Sequence, residues 1–388
     1  MNSTDSGSAT GDGGESEPQA SDPLELFFDL VFVFAFTRVT AFVSHHLTWA
    51  GVIRGVALIA ALWWAWVTYT WLMDTIPAET VLSERVVILA ATAVIFVVAL
   101  AVPNAFGTTA TLFGGSYFVV RVLHVALSVY TTRGETRARF LRLMPGFLGG
   151  PALLLAAGFA DGSLQSALWI VGLAIDYGVL YVRGVAKFEV RVEHFVERYR
   201  DIIIIAFGES VLAMGFGIAG DEPTLPPAVL AAAVLGIVLV MALSWLYFDY
   251  VSVAAEERFA AAGAYERGVL ARNSYAYLHL PIITGILFVA FGLEVTVVHV
   301  SAPLETIPAV GLYGGSALYL VGHTVFRLHD TGSLAIARLG TAALAVALIP
   351  VATGITALAS LAVLTGLLVG LVILETVSSG LRRDVLED

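Results

Sequence analysis

Apolar stretches of about 20 residues recur along the whole of this 388-residue chain. A helix of roughly that length crosses the hydrocarbon core of a bilayer, which is about 30 Å thick. Charged residues make up 13% of the chain, whereas soluble domains carry about 25% because they need a hydrated surface. The sequence therefore predicts an all-α membrane protein with about twelve transmembrane helices.

The predicted spans are separated by short segments that contain Gly, Pro, Asn or Asp, which favour turns. None of these segments is long enough for a folded soluble domain. Residues 1–23 are polar and acidic, and they are predicted to form a disordered cytoplasmic tail. We place the spans near residues 24–44, 51–73, 86–103, 112–130, 144–160, 164–182, 201–219, 226–250, 276–297, 307–327, 334–352 and 355–375.

The distribution of basic residues tests both the number of spans and the orientation of the chain in the membrane. If the N-terminus is cytoplasmic, seventeen of the 20 lysines and arginines fall on the cytoplasmic side. Arg54 falls outside, and Arg38 and Arg121 fall within spans. Cytoplasmic loops of membrane proteins carry such an excess of basic residues, and one missed helix would reverse every later loop. The sequence therefore predicts a multi-pass protein of the cell membrane with both termini in the cytoplasm.

The two halves of the chain resemble each other. Glu25-Leu-Phe-Phe-Asp29 in the first span matches Glu197-Arg-Tyr-Arg-Asp201 before the seventh, 172 residues later. Gly114-Gly115-Ser116 with His124 matches Gly314-Gly315-Ser316 with His323. An even number of spans gives both halves the same orientation, so a pseudo-two-fold axis along the membrane normal should relate them. We predict six-helix repeats at 24–182 and 201–375, joined by a basic cytoplasmic linker at 183–200 and followed by a cytoplasmic tail at 376–388.

Ionisable side chains are costly inside a bilayer and usually face protein or water. The first and seventh spans are the richest in them, and the depths of Arg38 and Glu209 are similar, which suggests a buried ion pair. Two interpretations stay open: these groups line or gate a polar pathway, or they are ion pairs and helix-end charges that only fix packing. The pathway candidates are Glu25, Asp29, Arg38, Glu197, Asp201 and Glu209.

Other polar residues lie within the predicted spans. Arg121 and Asp176 are expected to pair, and His124 and His323 are expected to be bonded histidines of the bundle rather than ligands. These four form a second group of candidates: Arg121, His124, Asp176 and His323. A belt of aromatic residues at the membrane interface accounts for five tryptophans: Trp63, Trp64, Trp66, Trp71 and Trp245.

No motif for an enzyme is present in the sequence. The chain lacks His-Glu-x-x-His, a P-loop, Gly-x-Ser-x-Gly and Gly-x-Gly-x-x-Gly, and it has no cysteine. We expect no catalytic activity, no metal and no cofactor. The expected partners are the lipid bilayer and an ion or small-molecule substrate, without nucleic acid, and the sequence indicates no oligomeric state.

Two motifs resemble a known family. They are Glu25-Leu-Phe-Phe-Asp-Leu-Val-Phe near the start and His194-Phe-Val-Glu-Arg-Tyr, continuing to Gly208-Glu209-Ser210, in the middle. Both are similar to motifs of the bacterial and archaeal low temperature requirement A (LtrA) family, although Arg200-Asp201 stands where that family usually has a Gly-Leu-like pair. The resemblance covers nearly the whole chain after the tail and implies a multi-pass membrane protein whose activity the family leaves poorly defined.

The repeated halves are also loosely similar to potassium channels that carry a Phe-Ser-Asp motif in the first helix of each six-helix repeat. Phe28-Asp29 matches two of those three letters, and Arg200-Asp201 matches only the aspartate. Our leading hypothesis is a transporter- or channel-like protein that moves an ion or small solute between the halves. The alternative is a non-transporting stress or envelope factor, or a scaffold.

Overall fold

The computed structural model describes residues 23–75, 82–183, 190–219, 225–248 and 257–387. Nearly all of the predicted N-terminal tail, and residues 184–189 of the predicted linker, lie outside these ranges. The described residues are helical apart from short turns, and the one β-type contact among them is an isolated bridge between Pro303 and Thr356. The expectation of an all-α protein is therefore confirmed.

The first half of the chain forms six helices. They are α1 (Pro23–His45), α2 (Trp49–Thr75), α3 (Leu82–Ala101), α4 (Ala110–Thr131), α5 (Gly134–Ala157) and α6 (Gly162–Arg183). A 3₁₀ turn at Val102–Asn104 ends α3, where Pro103 has no N–H to continue the α-helical hydrogen bonds.

The second half continues with α7 (Val192–Ile218), α8 (Pro227–Phe248) and α9 (Ala264–Val298). A π-helical segment, Ala271–Tyr277, lies inside α9 just before Pro281, which has no N–H to donate to the carbonyl of Tyr277. The following helix, α10, covers 306–331 with a π-helical segment at Val310–Gly314. The last two helices are α11 (Ile336–Ala352) and α12 (Ala357–Glu387).

Ten helices of the described chain are long and apolar enough to cross a membrane, namely α1 to α9 and α12. The remaining two are shorter or interrupted: α11 has 17 residues, and α10 contains the π-helical segment. Large apolar side chains cover the outside of the bundle, such as Leu82 at 76% exposed and Ile336 at 74%. Such an apolar outer surface is compatible with lipid rather than with water.

The seventh helix begins inside the stretch predicted as linker. We expected residues 183–200 to lie in the cytoplasm, but α7 starts at Val192. Arg198 is fully buried rather than exposed, because a carboxylate on α1 compensates its charge. Basic residues near a helix end therefore do not mark the boundary here.

Helix α9 lies at the centre of the second half. Of its most apolar stretch, 78% is buried, which is the highest share among the ten long apolar helices. It packs against α7, α10 and α1. Helix α1 in turn contacts α2, α3 and α7, so α1, α7 and α9 are mutual neighbours in the bundle.

The tryptophans of α2 do not form an interfacial belt. Trp63, Trp64 and Trp66 are fully buried, which corrects the expectation from the sequence. The indole of Trp63 donates to the carbonyl of Ala276 on α9 at 2.8 Å. Of the five tryptophans predicted for the belt, Trp71 is also buried at 9% exposed, and only Trp245, which is 52% exposed, faces outwards as a belt residue would. A buried indole is stable when its N–H finds an acceptor, and α2 therefore packs as a core helix.

Small residues let α9 and α10 approach closely. A Cβ atom added at Gly285 would lie 2.7 Å from the carbonyl oxygen of Gly315. We predict that Gly285→Leu lowers the free energy of unfolding by about 1–3 kcal/mol or more, the usual cost of overpacking. Thermal unfolding of the purified protein in detergent measures this change. Gly340→Leu is the matched control, since nothing lies within 4 Å of its added Cβ, and an equal loss in both variants would contradict the prediction.

Candidate functional site between α1 and α7

The two helices that carry the predicted pathway residues pack directly against each other. Side-chain contacts join them at increasing positions along both helices, so the helices run parallel. Glu25 contacts His194 and Asp29 contacts Arg198, each 169 residues apart in sequence. Thr37 contacts Glu209, 172 residues apart. Residues that contact each other therefore lie at nearly the same height along the two helices.

A buried ion pair lies near the N-terminal ends of both helices. Nη2 of Arg198 donates to Oδ1 of Asp29 at 2.8 Å, and both side chains are buried. The indole N–H of Trp66 on α2 donates to the same oxygen at 2.8 Å. A charge-assisted bond of this kind compensates both ions, neither of which would be stable alone in the bundle.

A histidine extends this arrangement towards the N-terminal end of α1. Nε2 of His194 lies 2.9 Å from Oε2 of Glu25, and its Nδ1 lies 3.3 Å from Oδ1 of Asp74. The backbone N–H of Arg191 donates to the other oxygen of Asp74 at 3.1 Å. Because both ring nitrogens face carboxylates, an imidazolium satisfies this geometry.

Together these groups cross-link α1, α2 and α7 at one end of the bundle. We call this set the ion-pair layer; it comprises Glu25, Asp29, Asp74, His194 and Arg198. Sequence reasoning found only Glu25 and Asp29 as site residues, since His194 and Arg198 were assigned to the linker. Their spacing of four residues, which puts two side chains on one face of a helix, was the signal that could have identified them.

A cavity lies between α1, α7 and α9, beyond the ion-pair layer. Its volume is about 600 Å³, within the range of roughly 300–1,000 Å³ that is usual for small-molecule sites. Along α7 its lining reaches Phe216, two residues before that helix ends. Leu30, next to Asp29 on α1, and Phe216 are 58% and 61% exposed, so the cavity opens sideways, on the outer surface of the bundle.

Three ionisable side chains line this cavity: Arg38, Glu209 and Glu294. Glu209 is fully buried, and its Oε2 accepts a bond of 2.5 Å from the hydroxyl of Thr37. Its other oxygen, Oε1, is buried and makes no hydrogen bond of standard geometry in the described chain, although the hydroxyl of Thr40 lies beside it. The buried carboxyl group therefore faces two threonine hydroxyl groups and no cation at bonding distance.

Arg38 and Glu209 do not form the ion pair that their depths suggested. The guanidinium of Arg38 lies 5.9 Å from the ring centroid of Phe34, one turn earlier on α1. Successive residues of a helix point about 100° apart, and the direction towards Glu209 belongs to Thr37. Arg38 and Glu209 lie at similar depths, but the side chain of Arg38 points in a different direction around α1.

Glu294 on α9 is a site residue that sequence reasoning missed. Its Oε2 accepts a bond of 2.6 Å from the hydroxyl of Ser44 near the end of α1. It is within electrostatic range of Glu209. A single acid within an apolar run, as here in α9, is the sequence signal of such a residue.

The remaining pathway candidates, Glu197 and Asp201, are half-buried on α7. Neither is part of the cavity lining. Asp201 lies within electrostatic range of Asp29, which places it beside the ion-pair layer. The structure thus brings Glu25 and Asp29 into one group and Arg38 and Glu209 into another.

The secondary candidates form structural contacts away from the cavity. Arg121 on α4 and Asp176 on α6 form the expected pair at 2.8 Å, with both side chains buried. His323 on α10 bonds to Arg338 on α11 at 2.8 Å. The ring of His124 is buried, and its Nδ1 has no hydrogen-bond partner in the described ranges.

Within the residues that the structure describes, no group of three or more His, Asp or Glu side chains is arranged to hold a metal ion. The chemistry available in the cavity is therefore that of carboxylates, one guanidinium and hydroxyls. Such groups bind ions and exchange protons.

Comparison with known proteins adds the wider relationship. The family model described as "Bacterial low temperature requirement A protein (LtrA)" matches residues 20–373. An uncharacterized protein of Rhizobium meliloti (strain 1021) is 32% identical over 323 residues, which is 79% of this chain and 76% of that protein. No solved structure matches.

Removing one partner of the buried pair should destabilise the bundle strongly. We predict that Arg198→Gln costs about 3–5 kcal/mol of unfolding free energy, because it leaves the charge of Asp29 uncompensated. The double variant Asp29→Asn/Arg198→Gln should recover part of that loss, since neither charge remains. Thermal unfolding in detergent measures both, with the exposed Arg54→Gln as control. A loss no larger than that of the control would show that the pair is energetically unimportant.

Proposed function

The chain belongs to the bacterial low temperature requirement A (LtrA) family, and from this premise we propose that it is a transporter- or channel-like protein. It moves an ion or small solute along the interface between two six-helix halves, chiefly between α1 and α7. The protein is a multi-pass protein of the cell membrane with twelve spans and both termini in the cytoplasm. It has no enzymatic activity.

The packing of the helices supports two similar halves. In the first half α1 contacts α3, α3 contacts α4, α4 contacts α5 and α5 contacts α6. The helices six positions later make the same sequence of contacts, from α7 with α9 to α11 with α12. Thr37 and Glu209 are separated by 172 residues, the same offset as the repeated acidic motifs, so equivalent positions face each other. A two-fold axis between α1 and α7 explains this pairing.

A matching ring contact occurs in each half. The ring centroids of Tyr69 on α2 and His124 on α4 are 5.6 Å apart, and those of Tyr247 on α8 and His323 on α10 are 5.2 Å apart. The two histidines are repeat equivalents by sequence. This similarity favours α10 and α11 as counterparts of α4 and α5, and hence twelve spans. The 17 residues of α11 reach the lower limit of the roughly 17–25 that a span requires.

One observation carries the pathway: the interface between α1 and α7 is open along one part and closed along another. The cavity occupies the part beyond the ion-pair layer, from Leu30 to Ala41 on α1 and from Glu209 to Phe216 on α7. The ion-pair layer closes the part at their N-terminal ends. Transporters that alternate between two states hold a site open to one side while contacts between their halves close the other. With a cytoplasmic N-terminus, this structure corresponds to a state closed to the cytoplasm.

Chemical labelling tests the pathway, because the chain has no cysteine of its own. We predict that Ala41→Cys and Leu212→Cys, both in the cavity lining, react in intact cells with a water-soluble maleimide that does not cross membranes. Leu100→Cys is the matched control: it is 48% exposed on α3 but would face lipid, where thiols stay unreactive. The extent of labelling is measured by mass spectrometry.

Two further cysteines establish the orientation in the same experiment. Thr108→Cys, between α3 and α4, should react in intact cells, whereas Thr136→Cys, at the start of α5, should react only after the membrane is permeabilised. If Thr108→Cys reacts and neither cavity position does, the interface is dry. That result would reject the pathway and favour the alternative of a non-transporting envelope factor or scaffold.

A further inference from the structure

We infer that Glu209 and Glu294 form a site that exchanges a proton for a monovalent organic cation with an apolar body. This inference rests on the proposed function, because it names the substrate class of the cavity between α1, α7 and α9.

The first step is electrostatic. Glu209 is fully buried, and a carboxylate inside a membrane bundle is ionised only when a cation lies against it. None of the ion pairs in the described part of the chain involves Glu209 or Glu294. When the site is empty, the buried carboxyl group of Glu209 is therefore expected to carry a proton.

The charged groups around the site do not change the expected protonation of Glu209. On α1, Arg38 lies over Phe34, and His45 is within electrostatic range of Glu294 rather than bonded to Glu209. On α9, Glu294 repels a negative charge on Glu209. Helix α8, which also packs against α7, carries no Asp, Glu, Lys, Arg or His between Pro227 and Phe248. Two neighbouring acids without a cation at bonding distance disfavour double ionisation.

The second step concerns the other carboxyl oxygen of Glu209. Oε1 of Glu209 is buried, lines the cavity and makes no hydrogen bond of standard geometry in the described residues, with only the hydroxyl of Thr40 beside it. Buried polar atoms are nearly always satisfied in native proteins. Once the proton has left, this oxygen faces a cavity of about 600 Å³ in which a cation can lie against it.

The third step is the shape and chemistry of the walls. Most of the lining is apolar, and it includes the aromatic ring of Phe216, whereas the ring of Phe34 already lies against Arg38. Aromatic faces attract cations, more strongly where water is excluded. A bare metal ion needs a close shell of oxygen ligands, which a mostly apolar cavity of this size does not offer. An organic cation fills the space and contacts both the ring of Phe216 and the carboxylate of Glu209.

The exchange balances as one proton for one cation. The O–H bond of the protonated Glu209 carboxyl breaks, the proton leaves to water, and the carboxylate forms an ion pair with the incoming cation. No covalent bond to the ligand forms, and no oxidant or reductant is involved. Entry of a proton from the other side of the membrane reverses the step and releases the cation.

Tetraphenylphosphonium, a monovalent organic cation, is the probe. We expect the purified full-length protein in lipid nanodiscs to bind it with an affinity that increases about tenfold per pH unit while the site is protonated, as one-proton linkage requires. Titration calorimetry in buffers of different ionisation enthalpy should give about one proton released per cation bound. Glu209→Gln should weaken binding roughly 30-fold or more and remove the pH dependence.

Matched variants separate the site from general effects. Glu294→Gln should also weaken binding, whereas Glu193→Gln, an exposed acid in the first turn of α7, should leave it unchanged. In Glu209→Gln the side-chain amide oxygen can still accept from Thr37, and thermal unfolding verifies that this variant is folded. If Glu209→Gln does not fold, the pH dependence and proton release of the unsubstituted protein, together with Glu294→Gln, still decide the result.

The outcomes distinguish this inference from the pathway itself. Binding that is independent of pH, or equal in Glu209→Gln and Glu193→Gln, overturns the exchange site. Competition by sodium or potassium at concentrations where choline has no effect overturns the choice of an organic cation. Labelled cavity cysteines without tetraphenylphosphonium binding reject the site but keep the pathway. Proton-linked binding with unlabelled cysteines supports the site and rejects the pathway.

Discussion

Charge compensation inside an apolar bundle is the constraint on which this structure depends. Arg198 and Asp29 are both fully buried, and each is stable there because the other lies 2.8 Å away. The same solution recurs at Arg121–Asp176 and, with one partner less buried, at Arg338–Glu375. Where a buried ionisable group has no such partner, as at Glu209, a cavity lies beside it. The need for charge compensation therefore accounts both for the buried ion pairs that hold the helices together and for the candidate site beside Glu209.

The sequence predicted the class of fold and the helices that matter. Apolar runs of span length are visible without a structure, and the match between Glu25–Asp29 and Glu197–Asp201 directed attention to α1 and α7. The pair Arg121–Asp176 was also predicted, because each is a lone charge within its span and charged residues inside a membrane usually pair with opposite charges.

Directions around the helices and distances between distant segments could not be predicted. Arg38 and Glu209 have similar depths, but Thr37 rather than Arg38 faces Glu209. Glu294 contacts Ser44 across 250 residues of sequence, and no local pattern encodes that proximity. Arg198 was assigned to a loop because basic residues near a span normally mark the cytoplasmic boundary. Its partner Asp29 reverses that expectation, and only the tertiary structure shows the two together.

The position of α2 in the ion-pair layer has a mechanical consequence. Trp66 bonds to Asp29 on α1, and Asp74 contacts His194 and Arg191 at the start of α7. Helix α2 therefore bridges α1 and α7. Separating α1 from α7 at that end cannot be a hinge of two helices alone. Helix α2 would have to stay bonded to one of the two helices and separate from the other, or move as a third rigid body. Separating α1 from α7 at that end would break the bond from Arg198 to Asp29, whereas the bond from Trp66 to Asp29 could remain.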